Sequence, residues 1–420
     1  MNAARWTLSC ALVVAAMVAA APAAADVSSD RSGAILVFPR IIVDTQDPPK
    51  TPRGRVDTLI RISNTSDQPL TLKCFYVNAN GHCRGAPGVI CDPYNPDAVN
   101  ECAPDDFCIP GWQETDFIVN ITARQPVAWL ASQGASSCDQ IVDPDNPVPC
   151  FPLGDSRVGL GGQTNRDSRV PPVPENPFIG NLRCIAVDRN EVPVERNALK
   201  GEVEIVRSNF DDLDVQGYNA IGIRALAGRN DGDNTLVIGG AGQCVAGSRA
   251  AATCSDDGDC PGGTCRLPEY EGCPNILILD HFFEGANDPV SGERVNTTLT
   301  LVPCTEDYER QNPVESPIQF LVFNEFEQRF STSRIINCFH EFRLFDIDGA
   351  TPGDVRSIFS AAVNGTLTGQ TRLRGVAGDD PRLGYTWLGV AEELRENAGT
   401  AAFNVHHHGT RPQNDFIHLP

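Results

Sequence analysis

Two stretches of this chain alternate apolar and polar residues with a period of two, each twice in succession around a short polar turn. Val56 to Tyr76 reads VDTLIRISNTSDQPLTLKCFY, and Ile318 to Phe339 reads IQFLVFNEFEQRFSTSRIINCF. A period of two places alternate side chains on opposite sides of a strand, one side in a core and one in water. Val56, Thr58, Ile60 and Ile62 share one face, with Asp57 and Arg61 opposite; Leu70, Leu72, Cys74 and Tyr76 share the next. The inward set of the second stretch is Ile318, Phe320, Val322, Ile336 and Cys338. Asn64 and Asn324 head the turns, where Asn binds nearby backbone and tolerates unusual dihedrals. The pattern predicts two hairpins within antiparallel sheets.

The similarity extends beyond these units. Leu36-Val37-Phe38-Pro39 ahead of the first matches Leu301-Val302-Pro303 ahead of the second. Behind them, Ile121-Thr122-Ala123-Arg124 is echoed by Gly369-Gln370-Thr371-Arg372, and Phe178-Ile179-Gly180 by Trp387-Leu388-Gly389. Four landmarks in one order predict a duplicated domain. The expected fold is mostly β, with two antiparallel, sandwich-like domains of immunoglobulin-like architecture over residues 27–290 and 291–420. Long Cys- and Pro-rich stretches at 78–111 and 132–177 lack periodicity and need bridges to hold them. One short helix is expected from Thr351, an N-cap before Pro352, to Asn364-Gly365. The first strand, Gly33 to Phe38, should stop at Pro39.

Residues 1–25 read as a signal peptide, with Arg5, an apolar run from Leu8 to Ala20, and Ala23-Ala24-Ala25 before Asp26. No later segment is apolar for long enough to span a bilayer as a helix. Of the 16 cysteines, Cys10 lies in the leader; the other 15 predict a disulfide framework and one unpaired thiol. A secreted, periplasmic or cell-surface location follows. The net charge of −21 argues against nucleic acid or anionic lipid as partner. Lys50, Lys73 and Lys200 are the only lysines, a bias that fits a GC-rich bacterial genome. Cys74 and Cys184, each following Leu and a basic residue on an inward strand face, are expected to pair across the first core, and Cys304 with Cys338 in the second.

Between the apolar runs Leu236-Val237-Ile238 and Ile276-Leu277-Ile278-Leu279 lies a Cys-rich insert, residues 244–273. If its flanks pair, Cys244 and Cys273 would clamp its base, and Cys254, Cys260 and Cys265 would leave one exposed thiol. Its centre, Cys254-Ser-Asp-Asp-Gly-Asp-Cys260-Pro-Gly-Gly-Thr-Cys265, resembles the Dickkopf N-terminal-like Cys-rich modules found in secreted bacterial proteins. The resemblance covers about thirty residues and implies an extracellular, disulfide-held loop; that family carries more cysteines than the five here. Asp256, Asp257 and Asp259 are candidate calcium ligands; against this, Asp-Asp-Gly-Asp is ordinary turn chemistry, which is the expectation.

His406, His407 and His408 form the one histidine cluster, and His406 and His408, with His418, are candidate metal ligands; a polar strand end is the simpler reading. His340-Glu341 opens like a zinc-protease motif, but Leu344 occupies the second His position. No phosphate-binding loop, dinucleotide fingerprint or G-x-S-x-G occurs. No catalytic residue and no cofactor is therefore assigned, calcium being the one candidate. The expected function is that of an exported interaction protein without catalytic activity, binding an unidentified protein or glycan at the cell surface. A calcium- or carbohydrate-binding module and a hydrolase with an unrecognised site are the alternatives.

Overall fold

A computed structural model describes residues 30–420 except 51–53, 92–101, 138–162, 165–169, 210–211, 240, 251, 312–315, 350–355, 377–385, 397–398 and 412–413. The described chain is mostly β, in antiparallel sheets, with one short helix. The expected signal segment, 1–25, lies outside the described residues.

The first sandwich uses β1 (Ile35–Val43), β2 (Arg55–Asn64), β3 (Leu70–Asn78), β4 (Gln113–Ile121), β5 (Pro126–Leu130), β6 (Phe178–Val187), β7 (Leu199–Asn209), β8 (Asp212–Asn219) and β9 (Ile221–Ile223). One sheet runs β9-β1-β6-β3-β4 and faces a second, β8-β7-β2-β5. The period-2 alternation of β2 is observed: Val56, Thr58, Ile60 and Ile62 are buried and Asp57, Arg61 and Ser63 are not. Trp129 fills the space between the sheets and donates its indole N–H to Tyr76 Oη at 2.7 Å.

β1 does not stop at Pro39. It continues to Val43, and the register against β6 shifts between Phe38 and Ile41. Proline cannot donate to a ladder and sits where the pairing bulges. A bulge also re-aims its side chains, and here it turns Arg40 into the boundary between the two halves of the molecule.

The second sandwich follows β10 (Thr235–Ile238). Its strands are β11 (Pro274–Phe282), β12 (Val295–Pro303), β13 (Ser316–Asn324), β14 (Arg329–Ile336), β15 (His340–Arg343), β16 (Thr368–Gly375), β17 (Trp387–Arg395), β18 (Gly399–Asn404) and β19 (His406–Thr410). Its sheets run β14-β13-β16-β11-β19 and β15-β12-β17-β18. β11 hydrogen-bonds to β16 and β19, so the second sandwich begins at Pro274, ahead of the boundary expected at 290. β10 does not pair with β11. Its partner is the C-terminal strand β20 (Asp415–His418), which also lies parallel to Glu306–Asp307.

The two predicted hairpins differ. β13 and β14 pair directly, whereas β2 and β3 lie in opposite sheets. The composition of the return strands explains this. β3 is buried on both faces, apart from Thr71, and so takes an interior place between β6 and β4; β14 exposes Arg329, Ser331, Ser333 and Ile335 and forms an edge. A two-residue period reports which face is buried, and it is silent about the partner. Two other pairings recur in both sandwiches: β1 with β6 and β12 with β17 join the first landmark to the fourth, and β2 with β5 and β13 with β16 lie in the facing sheets.

The helix is shorter than expected, Ala361–Asn364, capped by the Ser360 hydroxyl and ended by Gly365 at φ 68°. The predicted start at Thr351 lies outside the described residues. Ahead of the helix, side chains take over the backbone groups: Asp348 accepts from Ile358 N at 2.7 Å, and Asn364 Nδ2 donates to Ile358 O at 2.7 Å. Phe359 thereby enters the second core beside Phe320 rather than a helical face.

The halves are not separate beads. The first apolar core continues into Val302, Tyr308, Leu388 and Ile417 of the second half. The rings of Phe75 and Tyr308 stack across this boundary with centroids 4.0 Å apart.

Candidate functional sites

Six disulfides are present among the described residues. Cys74 pairs with Cys184, as expected, but within one sheet: the two are directly opposed on β3 and β6. Directly opposed antiparallel residues approach closely enough for a bridge at the non-hydrogen-bonded sites of a ladder.

The other expected pairs are corrected. Cys273 bonds to Cys304, and Cys338 is free and buried. Cys244 bonds to Cys260, and Cys254 to Cys265. The insert therefore holds two bridges of its own and no exposed thiol. The reason is the partner choice of β10: without a β10–β11 ladder, Cys244 and Cys273 have no common base to clamp. The free Cys338 thiol is pushed up by burial and by the nearby Glu306 carboxyl, which leaves it a poor nucleophile.

The stapled part of the insert is a three-stranded sheet, Thr253–Cys254, Gly242–Val245 and Thr264–Arg266 in that order. A second stapled module lies in the loop after β3. There Gly81–Cys83 pairs with Ala86–Cys91 and Cys108–Ile109, tied by Cys83–Cys102 and Cys91–Cys108. Both modules expose apolar side chains: Phe107 is 69% exposed, and Ile109 and Val245 nearly half.

The insert acids serve its turns. Asp256 Oδ1 accepts from Gly258 N at 2.8 Å, Asp257 Oδ1 from Cys265 N at 2.7 Å, and Asp259 Oδ2 from Ser255 N and its hydroxyl, both at 2.8 Å. The Ser255 bonds hold the Asp259 carboxyl below its ordinary value. His406 and His408 are exposed on the edge strand β19, and His407 points the other way, opposite the buried Leu277. His418 lies in a different sheet, beside the Thr235 hydroxyl at 3.2 Å. None of the His/Cys/Asp/Glu groupings close enough for a metal among the described residues takes in these candidates; the cysteines of those groupings are in disulfides.

A dense ionisable cluster lies between the sandwiches. Arg40 ion-pairs with Glu341 through Nε and with Glu392 through Nη1 at 2.8 Å. Its backbone N–H donates to Tyr218 Oη at 3.0 Å, and that hydroxyl donates back to Arg40 O. Glu392 also accepts from Arg207 Nη2 at 3.1 Å and Gln216 Nε2 at 2.6 Å. Burial works against the Arg40 charge, but Glu341 and Glu392 more than offset it and raise its pKa. Farther along, Arg183 donates to Cys304 O at 2.9 Å and Pro303 O at 2.7 Å, with Glu306 at 3.6 Å. Burial lifts Glu306 to about 7 against the pull of Arg183. Asp415 is lifted to about 6 by burial, opposed by hydrogen bonds from Thr386 and Thr305.

This cluster is buried in the junction and joins strands from both halves. Its chemistry is that of a structural lock: the charges of Arg40 and Glu392 are excluded from water and held by each other, by Arg207 and by Gln216. Glu341, which in the sequence stands in the aborted zinc-protease motif, serves as a partner of Arg40; His340 beside it is buried and held down to about 3, first by burial and then by Arg334. No local pattern marks Arg40, Glu341 or Glu392, because the residues that meet here are 301 and 352 positions apart.

No family model matches this chain, and no curated protein matches it. No helix among the described residues is long and apolar enough to cross a membrane.

Proposed function

We propose that the chain is an exported interaction protein of the extracellular space or cell surface, working by recognition rather than catalysis. The observation that carries this reading is the pairing of a locked scaffold with stapled loops. The buried ion pair of Arg40 with Glu392 and the bonds Arg183 donates to Pro303 O and Cys304 O join the two sandwiches, while the modules at 81–109 and 242–266 project small disulfide-held sheets with exposed apolar side chains. Loops held on a rigid frame are common recognition elements. The six bridges support an oxidising compartment, and the insert's likeness to Dickkopf N-terminal-like modules points the same way. Calcium ligation is less favoured, because Asp256, Asp257 and Asp259 already accept hydrogen bonds from the insert's own backbone.

Photo-crosslinking of the disulfide-intact protein on intact cells of its source tests this reading. Recovery of one saturable adduct, lost when either stapled module is replaced by a short Gly-Ser link, supports it. Turnover of ester, peptide or glycoside substrates with no saturable adduct overturns it.

A further inference from the structure

The outer face of the five-stranded sheet in the second sandwich differs in charge from the rest of the molecule. Residues opposed across a ladder share a face, so the register defines its rows. Ser331, Leu321, Arg372, Ile278 and His406 lie in one row across β14, β13, β16, β11 and β19. Ser333, Gln319 and Arg374 begin the next, which ends at Ile276 and His408. Arg329 and Gln370 flank Phe323 in a third row, with Asp280 beside Gln370. The alternate residues of the same strands, Phe320, Val322, Leu373 and Leu277, are buried in the core.

Three exposed guanidinium groups, Arg329, Arg372 and Arg374, thus share a face with two acids, Asp280 and Glu325, on a chain of net charge −21. Glu325 sits at the hairpin end of the face, where it accepts from the Thr368 hydroxyl at 2.6 Å, and Glu327 follows in the turn. Arg372 lies over the Phe323 ring at 5.4 Å from its centroid, and its Nε donates to Gln370 Oε1 at 3.1 Å. That stacking and bond hold one guanidinium in place. Between the charges, Leu321, Ile276 and Ile278 are half-buried and flush with the sheet.

Building on the recognition role above, we propose that this face binds an acidic polysaccharide, a glycan chain bearing carboxylate or sulfate groups. Charge complementarity selects an anion. A duplex nucleic acid, with a charge every ~1.7 Å, is too dense for three guanidinium groups on an acidic protein. An anionic membrane is a continuous plane, and the flush apolar residues cannot insert into it. A glycan spaces its anions by whole sugar rings and has apolar ring faces between them. The sheet offers the complement: adjacent strands about 4.8 Å apart, outward neighbours about 7 Å apart along each strand, and apolar patches between donors. Beyond a Debye length of about 8 Å the acidic remainder is screened at physiological salt.

The test is binding of the full-length mature protein to polygalacturonate and to dextran sulfate, with neutral dextran as control, by affinity electrophoresis and calorimetry. The expected result is salt-sensitive binding to at least one charged polymer and none to neutral dextran. Arg372→Gln with Arg374→Gln should weaken it at least about tenfold. Arg189→Gln with Arg229→Gln, exposed arginines elsewhere, changes net charge equally and should leave binding within about twofold. Equal losses in the two double variants, or no binding by folded wild-type protein, overturn the proposal. So does concentration-dependent self-association that Arg372→Gln with Arg374→Gln abolishes, since a second copy would then be the occupant. If the cell-surface adduct forms undiminished with this double variant, the face assignment fails while the recognition role stands.

Discussion

Arg40 Nη1 and Glu392 Oε1 meet at 2.8 Å, both side chains all but inaccessible, across the junction of the two sandwiches. A buried pair in this position contributes little when compared with well-packed apolar residues, but breaking it leaves an uncompensated charge in a dry site. Arg40, Arg207 and Gln216 all converge on Glu392, so this carboxylate is where the junction is most vulnerable.

Glu392→Ala should therefore lower stability by about 3–5 kcal/mol, read as a fall in the urea midpoint. Because both halves share the junction, fluorescence of Trp129 in the first sandwich and Trp387 in the second should shift together. A loss below about 1 kcal/mol, the scale of an exposed ion pair, would contradict the lock.

The bridge between Cys273 and Cys304 ties the entry of β11 to the exit of β12. Replacing both with Ser should cost about 2–4 kcal/mol. Replacing residues 243–265, which removes both internal bridges of the insert, should change stability by no more than about 1 kcal/mol. Extending the replacement through residue 272 should cost several kcal/mol more, because it deletes buried Glu269 and Tyr270. Glu269 Oε2 accepts from Val237 N at 2.9 Å. Thermal melts of the three variants check the order.

Glu306 bears on pH dependence. Its folded pKa, about 7, lies above the ordinary 4.5, so the folded chain holds a proton that the unfolded chain has released. Stability from this group is complete below 4.5 and is lost as pH rises toward 7. Glu306→Gln cannot ionise, so the unfolding free energy of wild type minus variant should fall across that window. His281, held down to about 4 by burial, slopes the opposite way in both proteins and cancels in the difference. Urea titrations at half-unit pH steps measure it; a difference that stays flat or rises would show Glu306 already ionised at low pH.

Asn324 closes the β13–β14 turn. Its Oδ1 accepts from Phe326 N at 3.0 Å and Gln328 N at 2.9 Å, and Nδ2 donates to Asn364 O at 3.0 Å. Asn324→Ala leaves the buried Asn364 carbonyl and two turn N–H groups without these partners and should cost about 1–3 kcal/mol. Asn324→Asp keeps the two accepting bonds and should cost less. Equal losses would place the stabilisation in the two bonds that Nδ2 donates, to Asn364 O and to Gln328 Oε1.

Burial and local chemistry were legible in the residues themselves. The alternation of Val56 to Ile62 and of Ile318 to Val322 marks which side chains are buried, because a strand's geometry repeats every two residues whatever its neighbour. Asn64, Asn324 and Gly365 mark turns and a helix end for the same local reason: their side chains, or the lack of one, act on backbone within a few positions. The Cys74–Cys184 pair was readable because both lie on inward faces of strands. Partnership was decided by the tertiary structure alone. Whether β3 returns beside β2 or crosses to the other sheet depends on how much apolar surface both its faces must hide. Whether Cys273 meets Cys244 or Cys304 depends on which strand β10 chooses. The meeting of Arg40 with Glu341 and Glu392 exists only after a bulge at Pro39 turns one side chain into a junction built from strands some 300 residues downstream. Such contacts follow from excluding water from a shared interface, and a one-dimensional pattern carries no record of which surfaces will share it.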